Sequence, residues 1–286
     1  MEARRQRLVQ RRGWDRAVAH YEAFWARQLR PAHDLLLGRA GLGAGEHVID
    51  VACGTGLVTL AAATAVGGVH GAAAGRVTAT DLSPAMVTET EGRARLAGLG
   101  NVEGIGCGAE ELTVAGPFDV ALCSLGLMYV PDPGRALTEM YRVLRPGGRL
   151  VVSVWGERRH CGWAELFPIV ADRVTSDVCP LFFALGAPGA LASELERAGF
   201  VAVGHDRLGV DLDYGDDDEA IGAAFLGGPV ALAYAHFDPA TRAGAERRYL
   251  DSLAGFRTGS GGYRVPGEFV VAWGRRPTDP QQPSTP

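Results

Sequence analysis

The sequence predicts an α/β protein built on a doubly wound, mostly parallel sheet, and three observations lead to that class. Short apolar runs alternate with segments of helical period between residues 45 and 155. Glycine or proline punctuates the changes of period, as at Gly41-Leu42-Gly43-Ala44-Gly45 and Pro146-Gly147-Gly148. Two strand-like stretches late in the chain, 201–214 and 263–273, are placed to pair antiparallel with each other.

Residues 15–40 read as helix, because Ala17, Tyr21, Phe24, Trp25 and Leu29 recur at steps of three and four. Pro31 opens a second short helix carrying Leu35, Leu36 and Leu37, and the charged residues before the first helix read as a solvated, frayed terminus. A short apolar strand at 47–53 ends in glycines and leads to a helix of small residues at 57–66, the first half of a parallel crossover. The Gly/Ala-rich stretch 67–75 reads as a surface loop before a second strand at 76–80. Ser83 is an N-cap with Pro84 at the first helical position, and that helix runs to Gly98 or Gly100. Strands follow at 101–107 and 118–123, then a helix at 133–144 and a strand at 149–155. Beyond it, 156–189 is irregular and 190–198 is a helix closed by Gly199. Asp216-Asp217-Asp218-Glu219 starts a helical insertion reaching about residue 256, with acidic side chains where the helix dipole favours them.

The chain has 286 residues, 47% of them hydrophobic and 21% charged, with a formal net charge of -5. That length supports one elaborated domain: a helical lid (1–40), a cofactor core (41–155), a C-terminal part (156–276) with an insertion at about 216–260, and a disordered tail (277–286). The mild acidity argues against a nucleic-acid partner, which needs a basic footprint. Cys53, Cys107, Cys123, Cys161 and Cys179 form no C-x-x-C pair and no zinc-ligand spacing, so they are expected as reduced thiols and no metal site is expected. With no apolar run of about 18 residues, no membrane insertion is expected, and the cytoplasm is the expected location.

The glycine-rich loop Asp50-Val51-Ala52-Cys53-Gly54-Thr55-Gly56 follows the first strand, where several ligands use such a turn. A dinucleotide loop wants G-x-G-x-x-G, but the third position here is Thr59. A phosphate loop of the G-x-x-x-x-G-K-[ST] kind needs a lysine, and the chain contains none. Asp50 at the end of strand one suits a cationic, aminoacyl-bearing ligand, and Gly54 and Gly56 let backbone approach it closely. Asp81 at the end of strand two is placed to accept bonds from ribose hydroxyls. A ligand with a ribose, an amino-acid end and no phosphate fits these groups, and S-adenosylmethionine is such a ligand.

The blocks VIDVACGTG (48–56), ATDLSPAMV (79–87), CGAEEL (107–112), FDVALCSLGLMYVPDP (118–133) and YRVLRPGGRLVVSVW (141–155) stand in an order that resembles the class I S-adenosylmethionine-dependent methyltransferases. The likeness is greatest to the ubiquinone/menaquinone C-methyltransferase branch and covers residues 15–155. It implies a Rossmann-like, seven-stranded sheet with an antiparallel last strand. By the same resemblance, Asp50 with the backbone of Ala52, Gly54, Thr55 and Gly56 would hold the methionine end, and Asp81 the ribose. Leu82 and Met86 would pack on adenine, Ala109 and Glu110 would meet its edge, and Ser124 and Leu125 would lie near the sulfonium. The family commonly carries Asp before the Ala-Glu pair, whereas this chain has Gly108, so backbone, water or Glu110 must substitute. Tyr21 and Trp25 resemble the family's aromatic lid, with packing on the sheet as the other reading.

Methyl transfer is an in-line displacement that needs mainly proximity and exclusion of water. Candidates for a base are Tyr21, His160 and His236, although each histidine also reads as a surface or structural residue. Trp25, Tyr129, Trp155, Trp163, Phe167, Phe182 and Phe183 are candidate walls of an acceptor pocket for a small apolar or aromatic molecule. The same fold could instead hold S-adenosylmethionine without methyl transfer, as a binding protein or cyclase, and a nicotinamide oxidoreductase is the remaining alternative.

Overall fold

A computed structural model describes residues 3–67, 75–174 and 182–278. Most of the expected loop at 67–75, Cys179 and the end of the expected tail lie outside the described residues. Seven strands form one sheet in the order β3-β2-β1-β4-β5-β7-β6. Strands β1 (His47–Val51), β2 (Arg76–Asp81), β3 (Val102–Gly106), β4 (Phe118–Ser124) and β5 (Leu144–Trp155) are parallel to one another. Strand β7 (Tyr263–Arg275) runs antiparallel between β5 and β6 (Val201–Tyr214), as the two late stretches suggested.

Successive strand residues point to opposite faces, and two apolar clusters result. Val48, Val120, Leu122 and Val151 pack on one side against Leu36 and α2 (Leu57–Ala65). Ile49, Val51, Ala121, Cys123 and Val152 face the other side, against α4 (Pro133–Val143) and the C-terminal elements. Helices on both faces bury the central strands along their length, and β1 is buried from Val48 to Val51, Asp50 included. Helix α3 (Pro84–Leu96) begins as expected, with Ser83 Oγ accepting the Met86 amide at 3.2 Å.

Three expectations are corrected. The N-terminal segment is not frayed, and Pro31 does not divide it: α1 is a single helix, Ala3–Ala40. Pro31 leaves the Arg27 carbonyl without its usual partner, but the buried Leu29, Ala32 and Leu36 anchor the helix on both sides of it. Upstream, Gln6, Gln10 and Gly13 are buried, because Arg7 pairs with Glu110 at 2.8 Å and Asp15 accepts from Ser83 Oγ. Second, β5 starts at Leu144 rather than 149, pairing Leu144 with Phe118 before a register shift. Third, 156–189 contains α5 (Leu166–Ala171) and 3-10 turns at Arg158–His160 and Ala184–Gly186.

Helix α6 (Ala190–Arg197) precedes β6. The insertion comprises α7 (Asp217–Phe225), α8 (Ala231–Ala235) and α9 (Pro239–Ser252). Asp216 caps α7 through the Glu219 amide at 2.8 Å, and Asp238 caps α9 through the Thr241 amide at 2.9 Å. No helix among the described residues is long and apolar enough to cross a membrane.

Candidate functional site

The C-terminal ends of β1 to β4 and the helix α1 line a partly open cavity. It lies where the order reverses, with β1 between β2 and β4, the crevice that open α/β sheets use for ligands. Ala52 and Gly54 come from the end of β1, Asp81, Leu82 and Met86 from β2 and α3, and Gly108, Ala109 and Glu110 from the end of β3. Ser124 and Leu125 follow β4, and Tyr21 projects from α1. Two non-glycine residues in this wall have left-handed backbone, Ala52 at φ 59° and Leu125 at φ 56°, a conformation held only when the surroundings impose it. Gly126 locks these turns together: a Cβ there would stand 2.4 Å from the Ala52 Cβ.

The expected cofactor residues divide into two groups. Eleven of the fourteen line the cavity, whereas Asp50, Thr55 and Gly56 are buried and do not. Asp50 accepts a 2.6 Å bond from the Thr59 hydroxyl, so its carboxylate braces the helix behind the loop. Burial pushes it up to about 7, against the lowering effect of that bond. Gly56, at φ 87°, is hemmed in by Leu60 and Thr90, which makes its role steric. Asp81 does face the cavity: Oδ2 accepts from the Gly54 amide at 3.0 Å and Oδ1 from the Ser83 amide at 2.8 Å. Burial raises it to about 6, and hydrogen bonds from the backbone of Ser83, Gly54 and Leu82 limit the rise.

Glu110 does not stand free. Its Oε2 accepts from Arg7, its Oε1 from the Asp132 amide at 3.0 Å, and its carbonyl from Arg135. Sequence reasoning missed Arg7, Gln10, Trp14, Cys107, Gly126, Val130 and Pro131, all of which line the cavity. A signal existed for the first three: positions 7, 10, 14 and 21 keep the three- and four-residue step that was recognised only from residue 15 onward.

A second cavity adjoins the first, and Trp14, Tyr21, Leu125 and Tyr129 line both. Trp25, Tyr129, Trp155, Trp163 and Phe182 form its aromatic wall, whereas Phe167 and Phe183 pack behind it. The insertion adds Ala223, Ala224, Gly227, Gly228, Pro229 and Tyr249, and β6 adds Tyr214. The rings meet edge to face, as Trp25 does with Trp155 at 6.0 Å between centroids and Tyr129 with Phe182 at 5.3 Å. The Trp163 indole N–H is buried without a hydrogen-bond partner among the described residues.

Of the candidate bases, only Tyr21 reaches this region, and burial raises its phenol far above the usual range. His160 lies outside both cavities, its Nδ1 3.0 Å from Glu268. Glu157, His160 and Glu268 converge closely enough to suggest a metal site, but the Arg207 guanidinium already fills that cluster, 2.5 Å from Glu268. His236 is exposed and bonds the Leu232 carbonyl on its own helix.

Comparison with known proteins bears on the fold and the family. A family model described as a methyltransferase domain matches residues 48–148. An uncharacterised Mycobacterium tuberculosis protein is 36% identical over 49% of this chain and 48% of its own, so the chain spans about half the length of that relative. The nocamycin O-methyltransferase of Saccharothrix syringae is 31% identical over 66% of this chain and 71% of that one. Among solved structures, the [4+2]-cyclase SpnF shares the fold at a TM-score of 0.53 and 22% identity, covering 87% of this chain and 81% of that one. The sheet order, the cavity at its switch point and the relatives lead to one conclusion: the chain belongs to the class I S-adenosylmethionine-dependent methyltransferases.

Proposed function

We propose that this protein transfers the methyl group of S-adenosylmethionine to carbon or oxygen of a small apolar or aromatic acceptor of quinone, polyketide or terpenoid type. One observation carries the reading: the second cavity, uncharged and aromatic, adjoins the first and shares Trp14, Tyr21, Leu125 and Tyr129 with it. The first cavity suits the cofactor. Its only lysine or arginine among the described residues, Arg7, is committed to Glu110, which suits a ligand without phosphate. Gly54, at φ 56°, has nothing within 4 Å of where a Cβ would stand, so a ligand can rest against its backbone. Asp81 lines the cavity with a carboxylate held by backbone amides, and its oxygens are placed to accept ribose hydroxyls as well. Leu82 and Met86 offer the base an apolar surface, and Ala52, Ser124 and Leu125 border the reacting end.

When bound, S-adenosylmethionine supplies a methyl group on a cationic sulfur, already activated for in-line displacement. The protein's part is to orient the acceptor and exclude water. Trp25, Trp155, Trp163 and Phe182 do so by presenting ring faces and edges. No His, Asp, Glu or Arg lines the second cavity among the described residues, and burial keeps Tyr21, Tyr214 and Tyr249 protonated at neutral pH. These phenols and the Trp163 N–H therefore act as donors, and the acceptor arrives ionised or gives its proton to water.

The test is incubation with methyl-labelled S-adenosylmethionine and a metabolite extract, followed by mass spectrometry. Label in an apolar phenolic, enolic or carbon-methylated product supports the reading. Label confined to polar amines or nucleic acid, or no labelled product from cofactor-binding protein, overturns it.

A further inference from the structure

We propose that Tyr214 and Tyr249 together grip an oxygen of the acceptor at the end of the second cavity remote from the cofactor. The compound methylated is then a conjugated oxygen acid, an enolised dicarbonyl or a hydroxyquinone, in which that oxygen shares its negative charge with the atom that attacks the methyl group. The inference rests on the methyl-transfer reading above and narrows its acceptor. Among the described residues, every hydrogen-bonding side chain on the second cavity's lining is a phenol or an indole, with no carboxylate, imidazole or carboxamide between them. An indole only donates, and a protonated phenol has an O–H to give. Such a lining suits a ligand whose polar atoms are acceptors, which for an apolar carbon skeleton means oxygen.

Tyr214 ends β6 and Tyr249 stands on α9, and both line the second cavity alone, whereas Tyr21 and Tyr129 border the first as well. They are 3% and 1% exposed. The two phenols are neighbours, since a charge on Tyr249 would raise Tyr214, and neither takes a hydrogen bond from the described residues. Burying a hydroxyl without a partner is unfavourable, and phenylalanine would fill the same space without that cost. An oxygen of a bound acceptor supplies the missing partner. Both rings are fixed before it arrives: Tyr249 meets Phe225 edge to face at 5.7 Å, and Tyr214 pairs with Tyr263 just after Asp213, whose amide and carbonyl are tied to Gln28 of α1. Donors fixed in a dry site stabilise an oxyanion strongly.

An oxygen that accepts two hydrogen bonds is a poor nucleophile, so the methyl group goes to another atom of the conjugated system, a carbon or a second oxygen. The acceptor loses its proton to water. The anion forms its bond to the methyl carbon as the methyl–sulfur bond breaks, the sulfur keeps the electron pair, and cation and anion end as two neutral products. This explains how a cavity without a base serves the reaction.

The experiment titrates two probes into the full chain saturated with S-adenosylhomocysteine: lawsone, a hydroxynaphthoquinone acid of this class, and naphthol, a phenol of the same two-ring size that lacks the distant oxygens. The wild type is expected to prefer lawsone. Tyr214→Phe and Tyr249→Phe should each weaken lawsone by about tenfold or more, the worth of a hydrogen bond to a charged oxygen, and leave naphthol and S-adenosylhomocysteine within about twofold. The visible band of bound lawsone should move toward its position in water in the double variant. A wild type that binds the two probes alike, or phenylalanine variants that keep the preference or lose both probes equally, overturns the proposal. A wild type that takes S-adenosylhomocysteine but neither probe would instead refute the acceptor reading on which the proposal rests.

Discussion

Replacing Asp81 by asparagine separates what this carboxylate does for the fold from what it does for the ligand. Burial raises Asp81 from the ordinary 3.8 to about 6. Keeping it ionised at pH 7.5 therefore costs the unliganded protein about 3 kcal/mol, at roughly 1.4 kcal/mol per pH unit. Asparagine removes that cost. It also turns an –NH2 toward the amide of Gly54 or Ser83, each now bonded to a carboxylate oxygen, and one unsatisfied contact costs about 1–3 kcal/mol. The two effects nearly cancel, so the melting temperature should move by no more than a few degrees in either direction. Ligand binding has no such compensation. Two ribose hydroxyls lose a charged acceptor, each bond contributing about 1.5–3 kcal/mol, and S-adenosylhomocysteine should bind at least a hundredfold more weakly. Calorimetry read beside a thermal melt decides the matter. A variant that melts like the wild type and binds within threefold of it refutes the ribose role of Asp81.

Lowering the pH should weaken S-adenosylhomocysteine binding about tenfold per unit below 6, because protonation removes the Asp81 acceptor; an affinity flat from pH 7 to 5 would show that the carboxylate is not used. Buried His33 is lowered to about 4, chiefly by burial, so the stability it contributes is complete above its ordinary 6.5 and is lost as pH falls toward 4. Asp50 and Asp81, being raised, oppose that loss by gaining protons on the same descent. The readout is thus a difference: His33→Gln should resist acid better than the wild type in denaturant titrations at pH 7 and 5, and an unchanged difference would rule His33 out. Gly126→Ala should cost about 1–3 kcal/mol by driving a methyl into Ala52, whereas Gly108→Ala should stay within about 0.5 kcal/mol; equal melts would mean the two strand-end turns are not interlocked.

The sheet was legible because its punctuation is strong. Ser83-Pro84, Asp216 before its acidic turn and the glycines after Asp50 each mark a boundary for a local reason, and alternation of periods gave the rest. The lower part of α1 was not legible. Its stripe of Arg7, Gln10, Trp14 and Tyr21 mixes charge, amide and aromatic rings, because it faces a ligand-sized cavity of mixed lining rather than an apolar core. Hydrophobic periodicity does not register such a face. Asp50 illustrates the complementary failure. Its place in the motif is plain, but whether a carboxylate points toward a ligand or back toward Thr59 depends on a rotamer that sequence does not encode.

Helix α1 touches both chambers with the same rigid rod: Gln10 lines the first, Trp25 the second, and Trp14 and Tyr21 border both. Whatever tilts or seats that rod for one ligand changes the room left for the other. Any linkage of the two affinities through that helix is reciprocal: an acceptor that binds more tightly after S-adenosylhomocysteine must tighten S-adenosylhomocysteine by the same factor.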